Sequence, residues 1–529
     1  MIKMKKTHST LLIFCLLFTL SLISGFKVIV RAESEPILEV GQTEPYKTIQ
    51  EAINNASSGA TILVHPGVYN ENVVVNKSVS LIGEVKALTT IDGNLTGTVV
   101  LIRADNVRIT GFTIKNSRSQ LYDSSGIFVD HSDWVNISNN SILNARDGID
   151  LFYSNGNSIL NNTISFNYNG GIVLSSSSYN LVSDNNISTD FLGFCGIQLY
   201  SSTHNVVTRN VAFSSLYGIY LSSASYNVIS GNNVFSNYHV GIDVIFSSFN
   251  TIYHNNFNNT INVQSEGDVT STWSFEGEGN YWSDYSGQDP TQDGIGDTAY
   301  FINSFNKDNH PLMGRFSDFG ISLGNETFSV TVISNSTISN FEFEIGAETG
   351  NKIISYGVSG PNATSGFCRV SIPTKLMNAA YVVLVGNEEV VPKLLTVSND
   401  SRACLYFAYL DRNQTVTLIS SEALRLYYGL LDRFVDMQRQ FYGLNASYYS
   451  LLDNFTTLLS NQSQLQERFD GLNNSFYDHL LDYDTQMQNM RNLMYILAAA
   501  TAIFLIATVY LSRIAHSRAK TRIKVIRER

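Results

Sequence analysis

Aspartates and aromatic residues recur at outward positions of a repeated Gly-Ile-x-Leu motif, and these residue types suit the recognition of sugars. In this motif the isoleucine and leucine face the interior of a strand-built structure, so the residue between them faces outward. Aromatic rings stack on sugar rings, and carboxylates hydrogen-bond sugar hydroxyls. One outward row consists of Phe128, Asp150, Val173, Gln198, Tyr220 and Asp243, and the next of Asp130, Phe152, Ser175, Tyr200, Ser222 and Ile245. The expected glycan-binding residues are Phe128, Asp147, Asp150, Phe152, Tyr200 and Tyr220.

A pair of carboxylates on the same surface could also cleave a glycosidic bond. Asp130 and Asp150 occupy diagonal positions on adjacent repeats, which places them about 8 Å apart at the spacing of β-strands. Inverting glycosidases separate their acid and base by a similar distance. Three hypotheses therefore stand side by side: a glycan-binding protein, a glycosidase or polysaccharide lyase, and a purely structural spacer or adhesin.

These surface residues must be positioned by a repeat of 22 to 25 residues. Its glycines are Gly126, Gly148, Gly171, Gly196, Gly218 and Gly241, and its two asparagine series are Asn157, Asn180, Asn205, Asn227, Asn250 and Asn140, Asn162, Asn185, Asn210, Asn232, Asn255. Such a period indicates a solenoid. Short β-rich pieces without a helical run favour a parallel β-helix, whose coils stack at about 4.8 Å. Both asparagine series are predicted to be structural ladders, because amides stacked at corners can satisfy one another and the backbone.

Residues 1–32 have the pattern of a signal peptide. Three lysines precede an uncharged apolar stretch at 11–23, and Ala32 offers a small-residue cleavage site. An N-terminal membrane anchor is the alternative, because residues 26–30 prolong the apolar run.

An amphipathic helix is expected at Tyr46–Ile53, where it would cover the first coil of a solenoid. It is followed by Gly-Val-Tyr-Asn-Glu at Gly67–Glu71 and Lys-Ser-Val-Ser-Leu-Ile-Gly at Lys77–Gly83. This opening resembles the start of right-handed parallel β-helix proteins of the NosD-like, carbohydrate-binding and sugar-hydrolase (pectate lyase-like) group. With the repeats, the resemblance covers roughly Glu44–Met313, and it implies a β-helix domain over 33–315.

The resemblance is specific for fold and weakly specific for function. Similar enzymes use clustered aspartates with neighbouring lysine and histidine, which the outward rows lack, since His131 stands alone in a corner. Binding is therefore expected rather than cleavage. A copper role fits poorly, because the four histidines of the repeats are not spaced to converge and copper needs clustered histidine, cysteine or methionine. Those histidines are His131, His204, His239 and His254.

An acidic, glycine-kinked loop lies in the segment that closes the β-helix. Asp289, Asp293 and Asp297 surround two glycines there. Such a loop can bend to give calcium several oxygen ligands. The alternative is an ordinary turn whose aspartates cap their own backbone. Apart from this possible calcium ion, no cofactor is expected.

Residues 316–420 alternate apolar and polar residues at period two, in strands separated by Asn, Gly and Pro, which predicts a β-sandwich. Cys368 and Cys404 both lie in it. In an exported protein they could form a disulfide. The sequence alone does not place them within reach of each other.

Residues 421–491 change to helical spacing with a heptad-like apolar seam and no proline. The pattern predicts a long coiled-coil-like stalk that could self-associate. A helical hairpin, broken at Gly443 or Gly471, is the alternative.

Residues 492–512 form an apolar stretch long enough to span a bilayer, and residues 513–529 are rich in Arg and Lys. The positive-inside rule places this tail in the cytoplasm and the bulk of the chain outside the cell. Several Asn-x-Ser/Thr sequons agree with an exposed glycoprotein. The net charge of −11 and the lack of a basic face argue against nucleic-acid binding. The expected partners are a polysaccharide or surface glycan, or a surface protein.

Overall fold

A computed structural model describes residues 37–117, 124–190, 193–361, 364–378, 380–410, 413–459 and 466–526. The predicted signal peptide at 1–32 lies outside these residues. The chain divides into two compact units, Met1–Thr251 with Asn258–Ser271 and Ile252–Phe257 with Thr272–Arg529.

The first unit is a parallel β-helix, in which successive coils add one short strand to each of three sheets. Sheet 1 contains Ile37–Val40, Thr61–Val64, Ser80–Gly83, Arg108–Thr110, Asn136–Ser138, Ser158–Leu160, Leu181–Ser183, Val206–Thr208 and Val228–Ser230. Sheet 2 contains Gly67–Asn70, Thr89–Asp92, Thr113–Lys115, Ser141–Leu143, Thr163–Asn167, Asn186–Thr189, Val211–Phe213 and Asn233–Phe235. Sheet 3 contains Val73–Val75, Val100–Ile102, Ser125–Asp130, Asp147–Phe152, Gly170–Ser175, Cys195–Tyr200, Tyr217–Ser222, Val240–Ile245 and Ile261–Glu266. The predicted β-helix is confirmed.

The interior of the β-helix combines stacked aliphatic side chains with amide ladders at the corners. Ile149 and Leu151 pair with Ile172 and Leu174 of the next coil, and all four are buried. At one corner, the Oδ1 atom of Asn185 accepts from the backbone N–H of Asn162 at 2.9 Å. The same pattern repeats along both asparagine series, so a buried amide meets a partner on the next coil. The structural interpretation of the ladders is confirmed.

The expected cap helix, α1, spans Ile49–Asn55. Ile49, Ala52 and Ile53 are buried, and Thr48 caps the helix by accepting from the backbone N–H of Glu51 at 3.1 Å. The carboxylate of Glu71 accepts from the backbone N–H groups of Ile49 and Gln50. The Gly-Val-Tyr-Asn-Glu motif thus holds the cap helix against the first coils.

The second unit contains a few short strands, followed in the sequence by a β-sandwich. Its short strands are Tyr281–Trp282, Tyr300–Phe301 and Lys307–Asp308. Sheet 4 of the sandwich contains Arg315–Leu323, Glu326–Ser334, Gly366–Pro373, Arg402–Tyr409 and Lys393–Leu394, and sheet 5 contains Thr337–Ile345, Lys352–Ser359, Gln414–Ser420, Tyr381–Val385 and Glu388–Val390. Both sheets are antiparallel, and residues of both form one buried core. Two further strands, Thr251–Tyr253 and Asn256–Asn258, lie at the unit boundaries in the sequence.

Cys368 and Cys404, the candidates for a disulfide, are not paired, and all three described cysteines are free thiols. On adjacent antiparallel strands, Cys368 lies opposite Phe407 and Cys404 lies opposite Ser371. The two cysteines are therefore about 10 Å apart along the strands and face opposite sides of the sheet, beyond the reach of a disulfide.

Two long helices follow, α2 at Glu422–Leu459 and α3 at Gln466–Ile526. Tyr448 of α2 stacks on Tyr483 of α3 at a centroid distance of 5.4 Å. The two helices therefore run side by side, which is the hairpin alternative to a single long stalk. Helix α2 ends at Leu459 and α3 begins at Gln466, and Gly443 and Gly471 lie within the helices.

Helix α3 includes the predicted membrane segment. Of the helices that the structure describes, it is the one long and apolar enough to span a membrane, within Gly471–Tyr510. The side chains of the basic tail at 513–529 lie outside the described set.

Candidate ligand-binding face

The outer side of sheet 3 carries the two rows that the repeat predicts. In the first row Phe128 lies beside Asp150, followed by Val173, Gln198, Tyr220 and Asp243. In the second row Asp130 lies beside Phe152, followed by Ser175, Tyr200, Ser222 and Ile245. Both rows have the predicted register because alternate residues of a strand face the interior.

Four aromatic side chains form a cluster at the N-terminal part of this face, here called the aromatic cluster: Phe128, His131, Phe152 and Tyr153. The ring of Phe152 lies 6.4 Å from Phe128, 5.7 Å from His131 and 4.5 Å from Tyr153. His131 and Tyr153 stack at 5.2 Å. Phe152 and Tyr153 remain 37% and 51% exposed, so a ligand can reach them.

Asp130 is held at the edge of the aromatic cluster by two cationic or polar partners. Its carboxylate accepts from Arg103 Nε at 2.8 Å and contacts His131 Nδ1 at 2.7 Å. Burial opposes ionisation of Asp130, but the bonds from His131 and Arg103 outweigh it and lower the pKa of this carboxyl. Asp130 is thus an ionised group, and it is unsuited to protonate a leaving group.

Asp150 occupies the predicted diagonal position relative to Asp130. It pairs with Phe128 on one side and Val173 on the other, and it is half-buried. The structure thus brings the two candidate catalytic aspartates onto adjacent coils of one face. Because Asp130 is tied to Arg103, this arrangement suits hydrogen bonding to a ligand better than acid–base chemistry.

Asp147 does not belong to the exposed face, which corrects the sequence-based prediction. It is 1% exposed, and its carboxylate contacts Arg146 and accepts from Asn169 Nδ2 at 2.7 Å and Gly170 N at 2.9 Å. A Cβ atom on Gly170 would lie 2.9 Å from Asp147 Oδ1, so the missing side chain makes room for the carboxylate. Burial nevertheless raises the pKa of Asp147 despite the nearby Arg146.

Tyr200 and Tyr220 lie further along the face. Tyr200 is exposed, two coils beyond Phe152 and therefore about 10 Å away at the strand spacing. Tyr220 is half-buried, because its ring packs at 4.9 Å against Phe194 and at 5.3 Å against Tyr217.

Asp243 lies next to Tyr220 and is an unusual carboxyl group. It is 2% exposed, and its Oδ1 atom has no hydrogen-bond partner among the described residues. Burial, together with the nearby Glu266 carboxylate, raises the pKa of Asp243 to about 6.

Sequence reasoning missed Arg103, Tyr153 and the special setting of Asp243. Arg103 lies before the first glycine of the repeat, so the repeat does not identify it. In the structure it lies beside Asp130, on the preceding coil. Tyr153 follows the strand at a left-handed corner position with a φ angle of 47°, outside the outward rows. The repeat predicts the position of Asp243 in its row, but only the structure shows that neighbouring residues bury it.

The predicted calcium residues lie in a loop that their own hydrogen bonds hold. Asp289 accepts from the backbone N–H groups of Asp293 and Gly294, and Asp293 accepts from that of Ile295. Asp297 accepts from Thr291. This is the geometry of the self-capped turn. Calcium binding by the loop stays a prediction.

Comparison with known proteins begins with the β-helix. Residues 53–287 match the family described as periplasmic copper-binding protein (NosD). The recognition of a NosD-like parallel β-helix is confirmed by this match and by the fold.

Two relatives are similar over parts of the chain. Over 207 residues it is 30% identical to a cell surface glycoprotein of Methanothermus fervidus, which covers 33% of each protein. Over 31 residues it is 61% identical to a probable ABC transporter binding protein NosD of Stutzerimonas stutzeri, 6% of this chain and 7% of that protein. The chain thus spans only about a third of the first relative's length and less than a tenth of the second's.

Among solved structures, the chain is similar to the Dettilon tailspike protein (gp208), with 12% identity and a TM-score of 0.35, over 70% of this chain and 89% of that one. It is also similar to the catalytic domain of a GH87 α-1,3-glucanase, with 13% identity and a TM-score of 0.32, over 46% and 57%. At these TM-scores neither likeness bears on the function of this chain.

The four histidines of the repeats do not form the clustered site that the copper of the family description would need. His131 stacks on Tyr153, His204 lies between Tyr179 and Tyr226, and His239 packs on Tyr217. His254 pairs with Glu278. These four side chains therefore make no multi-histidine copper centre.

Proposed function

We propose that this chain is a membrane-anchored cell-surface protein that binds polysaccharide through the outer side of sheet 3. The observation that carries the proposal is the aromatic cluster beside the ionised Asp130–Arg103 pair. Exposed rings supply apolar surface for the faces of sugar rings, and the ion pair supplies a donor and an acceptor for hydroxyl groups. Asp150, Tyr200 and Tyr220 would extend the contact along the coils.

Binding is favoured over cleavage by the state of Asp130. A glycosidase needs one carboxyl that is protonated and one that is ionised. Asp130 is ionised, so it cannot serve as the acid, and both its oxygens are already engaged, Oδ2 by Arg103 Nε and Oδ1 by His131 Nδ1, so it cannot serve as the base without losing a partner. An unchanged rate of reducing-end release from candidate polysaccharides in the Asp150→Asn variant would argue further against catalysis by this pair.

The surface location draws on two observations. The chain is similar to a cell surface glycoprotein over a third of its length. Helix α3 contains a candidate membrane span. The proposed orientation, with both units outside the cell and the basic tail inside, follows the positive-inside rule.

The test is a glycan-array screen of the full chain in detergent, comparing wild type with Phe152→Ala. Phe235→Ala is the matched control, because Phe235 is also 37% exposed and also lies on a neighbouring ring, Phe213 at 5.5 Å, but belongs to sheet 2. We expect glycan binding to weaken at least tenfold in Phe152→Ala and to persist in Phe235→Ala.

Equal loss in both variants would contradict a specific face. If the wild-type chain binds no glycan, the proposal is wrong. The remaining hypotheses are then a structural spacer and a protein-binding adhesin.

A further inference from the structure

A second cluster of polar side chains lies at the N-terminal end of the β-helix, remote in sequence from the aromatic cluster. In the part of the chain that the structure describes, one set of three His, Cys, Asp or Glu side chains brings its potential ligand atoms within 4.8 Å of one another: Glu39, Glu44 and His65. This set is here called the cap cluster. It contains nitrogen as well as oxygen ligands, which distinguishes it from an ordinary acidic patch.

The fold brings the cap cluster together at one end of sheet 1. The first three strands of this sheet, Ile37–Val40, Thr61–Val64 and Ser80–Gly83, are neighbours in register. His65 directly follows the second strand, and its backbone N–H donates to Val40 O at 2.9 Å. Glu84 directly follows the third strand and donates in the same way to Val64 O at 3.0 Å.

A tight turn then folds Glu44 back toward His65. The backbone N–H of Gly41 donates to Tyr46 O at 3.0 Å, and that of Glu44 donates to Gly41 O at 3.3 Å. A Cβ atom on Gly41 would lie 3.0 Å from Glu44 Cγ and 3.3 Å from His65 Cβ. The glycine therefore permits the close approach of the two side chains.

The imidazole of His65 is oriented for metal binding. Its Nδ1 atom lies 2.9 Å from Glu84 Oε2, an arrangement in which the ring proton sits on Nδ1. Its Nε2 atom is buried, has no hydrogen-bond partner among the described residues, and lies 3.5 Å from Glu39 Oε2. Metal-bound histidines commonly donate their second ring nitrogen to a carboxylate in this way.

The charge around His65 also favours a cation. Three carboxylates, those of Glu39, Glu44 and Glu84, surround one imidazole. The nearby Lys47 ammonium donates to the backbone oxygens of Gln42 and Glu44 at 2.8 and 2.6 Å. The cluster therefore carries negative charge in excess of its cationic partners.

We propose that Glu39, Glu44 and His65 bind one divalent zinc-type ion, with Glu84 as the positioning residue for the imidazole. One imidazole nitrogen and two carboxylate oxygens are ligands that zinc accepts, and water can complete a tetrahedral site. Calcium is less suited because it prefers oxygen ligands alone. Such an ion would join the first strand and the cap turn to the end of the second strand, and Glu84 would link the site to the third strand through His65.

The test is titration of the full, untagged chain with zinc chloride by calorimetry, after chelator treatment in detergent. We expect one zinc ion per chain, with association weakened at least tenfold in Glu44→Gln and in His65→Gln. Glu84→Gln keeps an oxygen near Nδ1, so it should weaken association less. Glu388→Gln, which changes an exposed carboxylate of sheet 5, is the control and should bind as wild type does. Asp289→Asn tests the alternative that the acidic loop holds the ion.

Circular dichroism of the metal-free variants checks their folding, and Glu44→Gln carries the test should His65→Gln fail to fold. X-ray absorption spectroscopy at the zinc edge should show imidazole and carboxylate ligands in the wild-type protein. Absence of zinc binding by the wild type, full affinity in both Glu44→Gln and His65→Gln, or loss in Asp289→Asn alone would overturn the proposal. The first two results would leave the cap cluster as an ion-pair network, and the third would place the ion in the loop.

Discussion

The interior corners and the outer face of sheet 3 are built from the same coils but follow opposite rules. At the corners one residue type repeats, and each amide bonds to its counterpart on the next coil. On the outer face the residue changes at each coil, from Phe128 to Asp150 to Val173. The corners use the same residue type coil after coil, whereas the outer face varies, so the varied surface is where function can be encoded.

The largest expected loss of stability comes from replacing an asparagine of the corner ladders. Asn185→Ala would leave the backbone N–H of Asn162 and the carbonyl of Ile159 without their amide partners. Buried polar groups without partners are costly, so we expect the free energy of unfolding to fall by about 4 kcal/mol. Asn186→Ala is the control, because Asn186 is the next residue and is exposed. Urea unfolding of both variants checks the prediction, and similar losses in the two would show that the ladder is not the cause.

The buried ion pairs of the second unit should lose their contribution to stability in acid, whereas the uncharged amide ladders should not. In the second unit, Glu278 contacts His254 at 2.8 Å and Arg369 at 2.7 Å, and Arg369 is 5% exposed. Burial opposes ionisation of Glu278, but His254 and Arg369 outweigh it and lower its pKa to about 2. Its contribution is therefore present above pH 4.5 and is lost as the pH falls toward 2.

Glu278→Gln should accordingly cost on the order of 3 kcal/mol at pH 7, because Arg369 is left buried without its counter-ion. Thermal unfolding at pH 7 and at pH 2 measures the effect, and the gap between variant and wild type should shrink at the lower pH. A gap that is independent of pH would contradict the role of the charge.

The contrast between the repeated corners and the varied outer face also explains which features could be predicted from the sequence. The solenoid, the ladders and the two outward rows follow from spacing alone, because parallel coils force equal positions into register. The burial of Asp147 could not be predicted, because it depends on the missing side chain of Gly170 one coil away. Nor could the separation of Cys368 from Cys404, because sandwich register depends on turns that carry no repeat. The cap cluster combines Glu39 of the first strand of sheet 1, Glu44 of the turn after it and His65 after the second strand, and only the register of that sheet and the turn bring them together.

Asp243 is a buried carboxyl whose Oδ1 atom has no hydrogen-bond partner among the described residues, and its replacement should stabilise the protein. The pKa of Asp243 is raised to about 6, so the folded state binds a proton more tightly than the unfolded state and loses stability as the pH rises from about 4 through 6. Asp243→Asn removes the buried charge, and we expect a gain of about 2 kcal/mol at pH 7. Scanning calorimetry at pH 7 and pH 4 checks it. A gain that persists at pH 4, where Asp243 is protonated, would assign it to packing instead.

The smallest expected effect on stability is at the proposed binding residues themselves. Phe152 and Phe235 are equally exposed on different sheets, each beside another ring. Truncation of either to alanine should cost less than about 1 kcal/mol, because aromatic pairs at exposed sites contribute little beyond the area they bury. Urea unfolding of Phe152→Ala and Phe235→Ala measures this directly. Equal and small stability losses would mean that any difference in glycan binding between the two variants reports on the face, whereas a loss several times larger for Phe152→Ala would make the aromatic cluster part of the folding core and remove the main reason to regard it as a ligand site.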